Sequence, residues 1–203
     1  MNRSLAIVLS LAVAAVSLTG CKERGPGQRS PAQMPPILAS LPAAAPNAAP
    51  TITKDQPMFT PLADNIDVAP QISLDQVAAA KAQGVTMIIN NRPDGEDPSA
   101  PQGADIAAAA EAAGLDYVAI PITHAGFSAP QVDAMVAALS KAEASGGKVL
   151  AYCRSGTRST LLWSLAKAKQ GGNPAELSKL AANAGYDLTP IRPMLDALSG
   201  QVE

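Results

Sequence analysis

The 203-residue chain is poor in the residues that most often build metal centres and disulfide scaffolds: it has one histidine, His124, and two cysteines, Cys21 and Cys153. A single histidine excludes a polyhistidine metal site. Two cysteines without CxxC spacing give no disulfide framework, no cysteine-type zinc site and no thioredoxin-type motif. Neither a metal nor another cofactor is expected. Aromatic residues make up only 3%, and 15 Lys and Arg against 17 Asp and Glu leave a net charge of −2. With no basic stripe interleaved with aromatics, nucleic acid is not an expected partner. No apolar stretch reaches the ~20 residues needed to cross a bilayer as a helix.

What apolar concentration there is lies first at residues 5–16, LAIVLSLAVAAV, behind the positive charge of Arg3. Charge followed by a short apolar run is the pattern of an export signal. The run leads into LTGC, residues 18–21, which resembles a bacterial lipobox. That resemblance implies cleavage before Cys21, acylation of the Cys21 thiol, and a lipid-anchored protein facing the periplasm. Lys22 rather than Asp after the cysteine favours the outer membrane. Residues 22–50 carry seven prolines among Ala, Gly, Ser and Gln, a composition that does not bury enough surface to fold. The expected organisation is a signal at 1–20, a Pro/Ala-rich tether at 21–60 and a folded domain at 61–203. Once Cys21 is acylated, Cys153 has no internal disulfide partner.

From about Asp64 hydrophobic periods alternate. IDVAPQIS reads as a first short strand. Ser73 and Gln76 form a capping box for the helix LDQVAAAKAQ, which Gly84 ends. VTMIIN (85–90) is a short β-branched run, hence a buried strand. NRPDGEDPSAPQG is a turn-rich loop, ADIAAAAEAAG a helix, and LDYVAIP a second buried strand. Ser128 and Gln131 cap the helix QVDAMVAALSKAEAS, and KVLAY (148–152) is a third strand. A helix over Ser159–Gln170 follows, and Asn173 and Thr189 open two more. Strands alternating with helices predict a mainly parallel sheet covered by helices on both faces. Sites in such sheets form beyond the carboxyl ends of the strands.

One of those ends carries LAYCRSGTRSTLLW, residues 150–163. Cys153 follows a strand and precedes a helix, where loop amides and the helix dipole both favour an anion. Arg154 and Arg158 add positive charge, Ser155 and Thr157 add hydroxyls, and Gly156 lets the backbone turn close to a bound group. Ser159 is placed to donate to the sulfur. These are the conditions for a nucleophilic thiolate. Asn91, Arg92 and Asp94, directly after the strand VTMIIN, are expected to rim the same pocket, with Arg92 the favoured anion contact. Glu96 and Asp97 read as a solvated acidic run, and Leu161, Leu162, Trp163 and Leu165 as core.

Cysteine, short loop, arginine and serine resemble the catalytic loops of protein tyrosine and dual-specificity phosphatases and of rhodanese-type sulfurtransferases. IINNRPDGED (88–97), AAAAEAAGLDYVAIPI (107–122) and VLAYCRSGTRSTLLWSLA (149–166) are similar to the beta-lactamase-hydrolase-like protein, phosphatase-like domain family, over roughly Asp64–Lys169. The resemblance implies a phosphatase-like α/β fold and either phosphatase or sulfurtransferase chemistry, with Cys153 and Arg158 as catalytic residues. Phosphatases place five residues between cysteine and arginine, whereas this chain and the rhodanese type place four. The dual-specificity phosphatases also carry an acidic Asp after a strand ending Ile-Pro, and here the matching position holds His124, which as imidazolium could donate a proton. On both grounds the expected activity is sulfur transfer through a Cys153 persulfide, between a small sulfur donor and a thiol acceptor. The alternatives are phosphatase action on a phosphorylated substrate through a phosphocysteine, and a tethered module that binds anions or a partner.

Overall fold

The computed structural model describes residues 58–200. The expected signal, Cys21 and nearly all of the tether lie outside the described residues. Five strands, β1 (Thr60–Ala63), β2 (Ile66–Ala69), β3 (Val85–Asn90), β4 (Asp116–Ala119) and β5 (Lys148–Tyr152), form one sheet in the order β1-β2-β5-β3-β4. β1 runs antiparallel to β2, and all other neighbours are parallel. The helices are α1 (Leu74–Ala82), α2 (Gly103–Ala112), α3 (Ala129–Ala144), α4 (Thr157–Lys169), α5 (Pro174–Asn183) and α6 (Arg192–Ser199).

Side-chain alternation along the central strands divides the core in two. Ile88, Leu150 and Tyr152 pack with Val77 and Ala80 of α1 and Ile106 and Ala110 of α2. Met87, Ile89, Val149 and Ala151 pack on the opposite face with residues of α3, α4, α5 and α6. A strand covered on both sides reads as continuous apolar sequence. That is why VTMIIN and KVLAY become β3 and β5 without a change of boundary. Leu162, Trp163 and Leu165 of α4 are buried in the core, and Leu161 packs half-buried against it. The Ser73–Gln76 capping box forms as expected, with Gln76 N–H donating to Ser73 Oγ and Ser73 N–H to Gln76 Oε1.

Four local expectations are corrected. β1, TPLA, was not anticipated: it is only four residues long and contains Pro61, a residue that an edge strand tolerates. Phe59, just before it, is 2% exposed in the core, so the folded part opens slightly before residue 61. LDYVAIP is not a buried strand. β4 is the other edge of the sheet, with Asp116 and Ala119 exposed and Tyr117 and Val118 half-buried. The helix expected from Ser159 starts two residues earlier, at Thr157. Thr189 opens a single 3-10 turn, and α6 begins only at Arg192.

Because β2, β3, β4 and β5 are parallel, the segments that follow them emerge at the same end of the sheet, beyond the strands' carboxyl ends. β5 lies in the middle of the order, so the cysteine loop is flanked by the segments after β2 and β3. Leu150 lies at the centre of β5 with no exposed surface. Leu150→Ala is expected to destabilise the domain by about 2–5 kcal/mol, read from the urea midpoint. A loss under about 1 kcal/mol would contradict this placement of β5.

Candidate active site

Cys153 is the first residue after β5 and is completely buried. Its amide donates to Ala69 O at 3.4 Å, so the end of β2 holds the start of the loop. Three residues on, Gly156 N–H donates to Cys153 Sγ at 3.1 Å. Gly156 has φ +88°, the left-handed region, which costs little only for glycine. A Cβ there would stand 2.1 Å from Tyr186 Oη, so space as well as conformation requires glycine. The Gly156 carbonyl accepts both Thr160 N–H and Thr160 Oγ1–H, each at 3.0 Å, the first bonds of α4. The amides of a helix's first turn have no carbonyl of their own helix to pair with, and here that turn begins directly beside the sulfur.

Arg158 lies in that first turn, with its side chain partly buried. Nη1 donates to Ile122 O and Nη2 to Glu96 Oε2, both at 2.8 Å. Glu96 Oε2 also takes Arg92 Nε at 2.8 Å. The Arg158 hydrogen bond, more than the one from Arg92, holds the Glu96 carboxyl below the usual glutamate range against the opposing effect of burial. Burial works against the charge on Arg158, but the Glu96 hydrogen bond and the field of Cys153 outweigh it and raise its pKa. Arg92, 8% exposed, gives Nη1 to Gln71 Oε1 at 2.7 Å and has Nη2 3.7 Å from Asp97. Gln71 N–H in turn reaches Arg154 O at 3.4 Å.

The expected residues are therefore placed as follows. Cys153, Ser155, Gly156, Thr157 and Arg158 come together as one loop and helix start. Ser155 Oγ and Thr157 Oγ1 lie 3.1 Å apart on its exposed side, and Arg154 is also exposed. Ser159 does not donate to the sulfur: its buried Oγ has no partner among the described residues, and the Gly156 amide makes that contact instead. Arg92 is not a free anion contact, since its buried guanidinium is taken up by Glu96, Gln71 and Asp97. Asn91 does not rim a pocket either. It is fully buried and donates from Nδ2 to Ile120 O at 3.0 Å, lacing the ends of β3 and β4. Asp94 is exposed and accepts Gly103 N–H at 2.7 Å, at the start of α2. His124 is exposed on the turn that begins where Arg158 holds Ile122.

Three participants were not anticipated. Glu96, read as solvated, joins the two arginines, and its i,i+4 spacing from Arg92 was the available signal. Gln71 offered only its place just after a strand end. Tyr186 offered none, since it comes from the segment after α5. Its hydroxyl donates to Ser155 O at 3.3 Å. Burial first, and then the field of Cys153, push its pKa up.

Residues 58–170 match the family model described as beta-lactamase hydrolase-like protein, phosphatase-like domain. A curated beta-lactamase hydrolase-like protein of Agrobacterium fabrum is 31% identical over 140 residues, which cover 68% of this chain and 32% of that protein. Another, from Xylella fastidiosa, is 32% identical over 126 residues, which cover 62% of this chain and 28% of that one. The chain thus spans about a third of the length of the curated relatives it matches. Among solved structures, a candidate phosphatase from Neisseria meningitidis is 31% identical with a TM-score of 0.61, covering 70% of this chain and 99% of that chain. Human DUSP28 has 18% identity and a TM-score of 0.53, over 68% of this chain and 94% of that one, and shows the fold alone. The architecture is phosphatase-like, of the tyrosine and dual-specificity type.

The Glu96 clamp has a pH signature. The Glu96 pKa in the folded protein lies below its ordinary value of 4.5. Its contribution to stability is therefore full above that value, and is lost as pH falls through the lowered one. Wild type is expected to lose stability relative to Glu96→Gln in that acid window, measured by urea unfolding between pH 6 and 3 at steps of about 0.5. Parallel curves for the two proteins would remove Glu96 from the clamp.

Proposed function

The chain belongs to the beta-lactamase hydrolase-like protein, phosphatase-like domain family, and from that premise we propose that it is a cysteine-dependent phosphohydrolase. The observation that carries the reading is the Gly156 amide on Cys153 Sγ at the head of α4, with Arg158 in the first helical turn. Cys153, as thiolate, attacks phosphorus of a phosphomonoester. A sulfur–phosphorus bond forms and the phosphorus–oxygen bond to the leaving group breaks. The helix-start amides hold the phosphoryl oxygens as charge develops on them. His124, exposed beside the Arg158–Ile122 tie, is the candidate donor of a proton to the leaving oxygen. Water then attacks phosphorus, releasing inorganic phosphate and restoring the thiolate.

Sulfur transfer is the second reading, and the four-residue spacing from Cys153 to Arg158 is what favours it. There the thiolate attacks the outer sulfur of thiosulfate, breaking its S–S bond and releasing sulfite. An acceptor thiol or cyanide then takes the sulfur from the Cys153 persulfide. The phosphatase reading stands first because the family and the fold support it, while the sulfurtransferase reading rests on the spacing and on His124 in place of an acid Asp. For residues 1–57 we keep the lipobox reading: acylated Cys21 tethers the domain to a membrane, at the periplasmic face.

Two measurements test these proposals. Aryl-phosphate hydrolysis and thiosulfate:cyanide transfer are assayed side by side for wild type and Cys153→Ser. Phosphatase activity that falls at least about 1000-fold in the variant is expected, and sulfur transfer without hydrolysis would overturn the first reading. The tether is tested by fractionating cells that express the full chain. Wild type is expected in the membrane fraction and Cys21→Ser in the soluble one, and identical partition of the two would end the lipid-anchor proposal.

A further inference from the structure

The Ser155–Gly156 peptide is held at both ends. Its N–H donates to Cys153 Sγ at 3.1 Å, and its carbonyl accepts the Tyr186 hydroxyl at 3.3 Å. The two contacts lie on opposite edges of one amide plane. Rotation of that plane by half a turn would withdraw the N–H from the sulfur and present a carbonyl oxygen in its place. Glycine is the residue least able to resist such a rotation, because it populates both signs of φ. Something outside the loop must choose the orientation. Tyr186 is placed to do so from the far side of Gly156, where its hydroxyl is so near that no Cβ fits.

We propose that Tyr186 is a positioning residue for the cysteine loop, which fixes the Ser155–Gly156 peptide so that its amide faces Cys153 Sγ. It acts through the peptide and needs no contact with substrate. Hydrogen bonds in a chain polarise one another, so the hydroxyl on the carbonyl also strengthens the N–H as a donor. Tyr186 lies beyond residue 170, where the family match ends, so the segment that closes the fold after α5 also completes the site. The inference rests on Cys153 being the working nucleophile and holds equally for phosphoryl or sulfur transfer.

The test reads the thiolate directly. Absorbance near 240 nm is titrated for wild type and Tyr186→Phe, each corrected with its own Cys153→Ser partner to subtract tyrosine ionisation. The groups close enough to influence the sulfur are Arg158 from α4 and Tyr186 itself. Glu96 acts through Arg158, and Arg154 and His124 are exposed. The variant keeps the ring and loses only the hydroxyl, so its melting temperature is expected to change little. The contact, at 3.3 Å, is longer than the usual O–H···O range of about 2.5–3.0 Å, so a moderate effect is expected. The Cys153 titration should move about 0.5–1 higher in pH, and kcat/KM at pH 7 should fall about 3- to 10-fold with whichever donor the enzyme uses. Superimposed thiolate titrations in two folded proteins would overturn the proposal. A shifted titration in a protein without phosphatase activity would uphold it and discard the phosphatase reading instead.

Discussion

The Arg158 guanidinium sends one nitrogen to the Ile122 carbonyl and another to Glu96, and on the same Glu96 oxygen it meets Arg92. Three segments are joined there: the start of α4, the chain leaving β4 and the loop after β3. The energetic weight of the junction falls on Arg92 more than on Arg158. An exposed ion pair contributes little, because water competes for both partners. Arg92, however, is 8% exposed, and a buried cation deprived of its partners carries a large desolvation penalty. Glu96, Gln71 and Asp97 together keep that charge accounted for. The loops around Cys153 thereby acquire a fixed frame without regular secondary structure of their own.

Within that frame the cysteine loop is held from beneath and from outside. From beneath, the Cys153 amide binds Ala69 O and the Arg154 carbonyl receives the Gln71 amide. From outside, Tyr186 bears on Gly156. The Gly156 amide reaches the sulfur, with α4 starting beside it, because the loop turns through a left-handed Gly156 directly into helix. A non-glycine residue would meet both an unfavourable φ and the tyrosine hydroxyl, so the backbone geometry and the chemistry of the site depend on the same position.

Elements set by local pattern were legible from sequence. β3 and β5 followed from unbroken apolar runs, and α1 and α5 from their caps at Ser73 and Asn173. The cysteine loop was legible as well, because strand, cysteine, donors and helix lie within fourteen residues, 150–163. What escaped was decided between distant segments. β1 has too few residues to show a period and is a strand only because β2 pairs with it. β4 looks like a buried strand but stands at an edge, a fact of sheet order that local sequence does not carry. Glu96 looked solvated because its partner Arg158 is far along the chain, and Tyr186 meets Gly156 only after α5 has brought the chain back. Arg92 was misjudged for the opposite reason: its position was right, but its charge is consumed inside the protein.

The two readings of the chemistry can be weighed on the same geometry. Four residues between Cys153 and Arg158, one fewer than in the phosphatases, would make a ring of amides too small for phosphate if cysteine and arginine were the two ends of one anion-binding ring. In the folded chain Arg158 is held by more than the loop. It sits in the first turn of α4, and its guanidinium bonds Ile122 O and Glu96 while remaining close enough to Cys153 to feel its field. The backbone donor on the sulfur is the Gly156 amide, immediately before the first turn of the helix. A helix start offers unpaired amides to an anion whatever the count of residues before the arginine. A short Cys-to-Arg spacing then loses most of its force against a tetrahedral phosphoryl group. The decisive geometric question becomes whether the amide of Gly156 stays on the sulfur, which is the contact that Tyr186 governs.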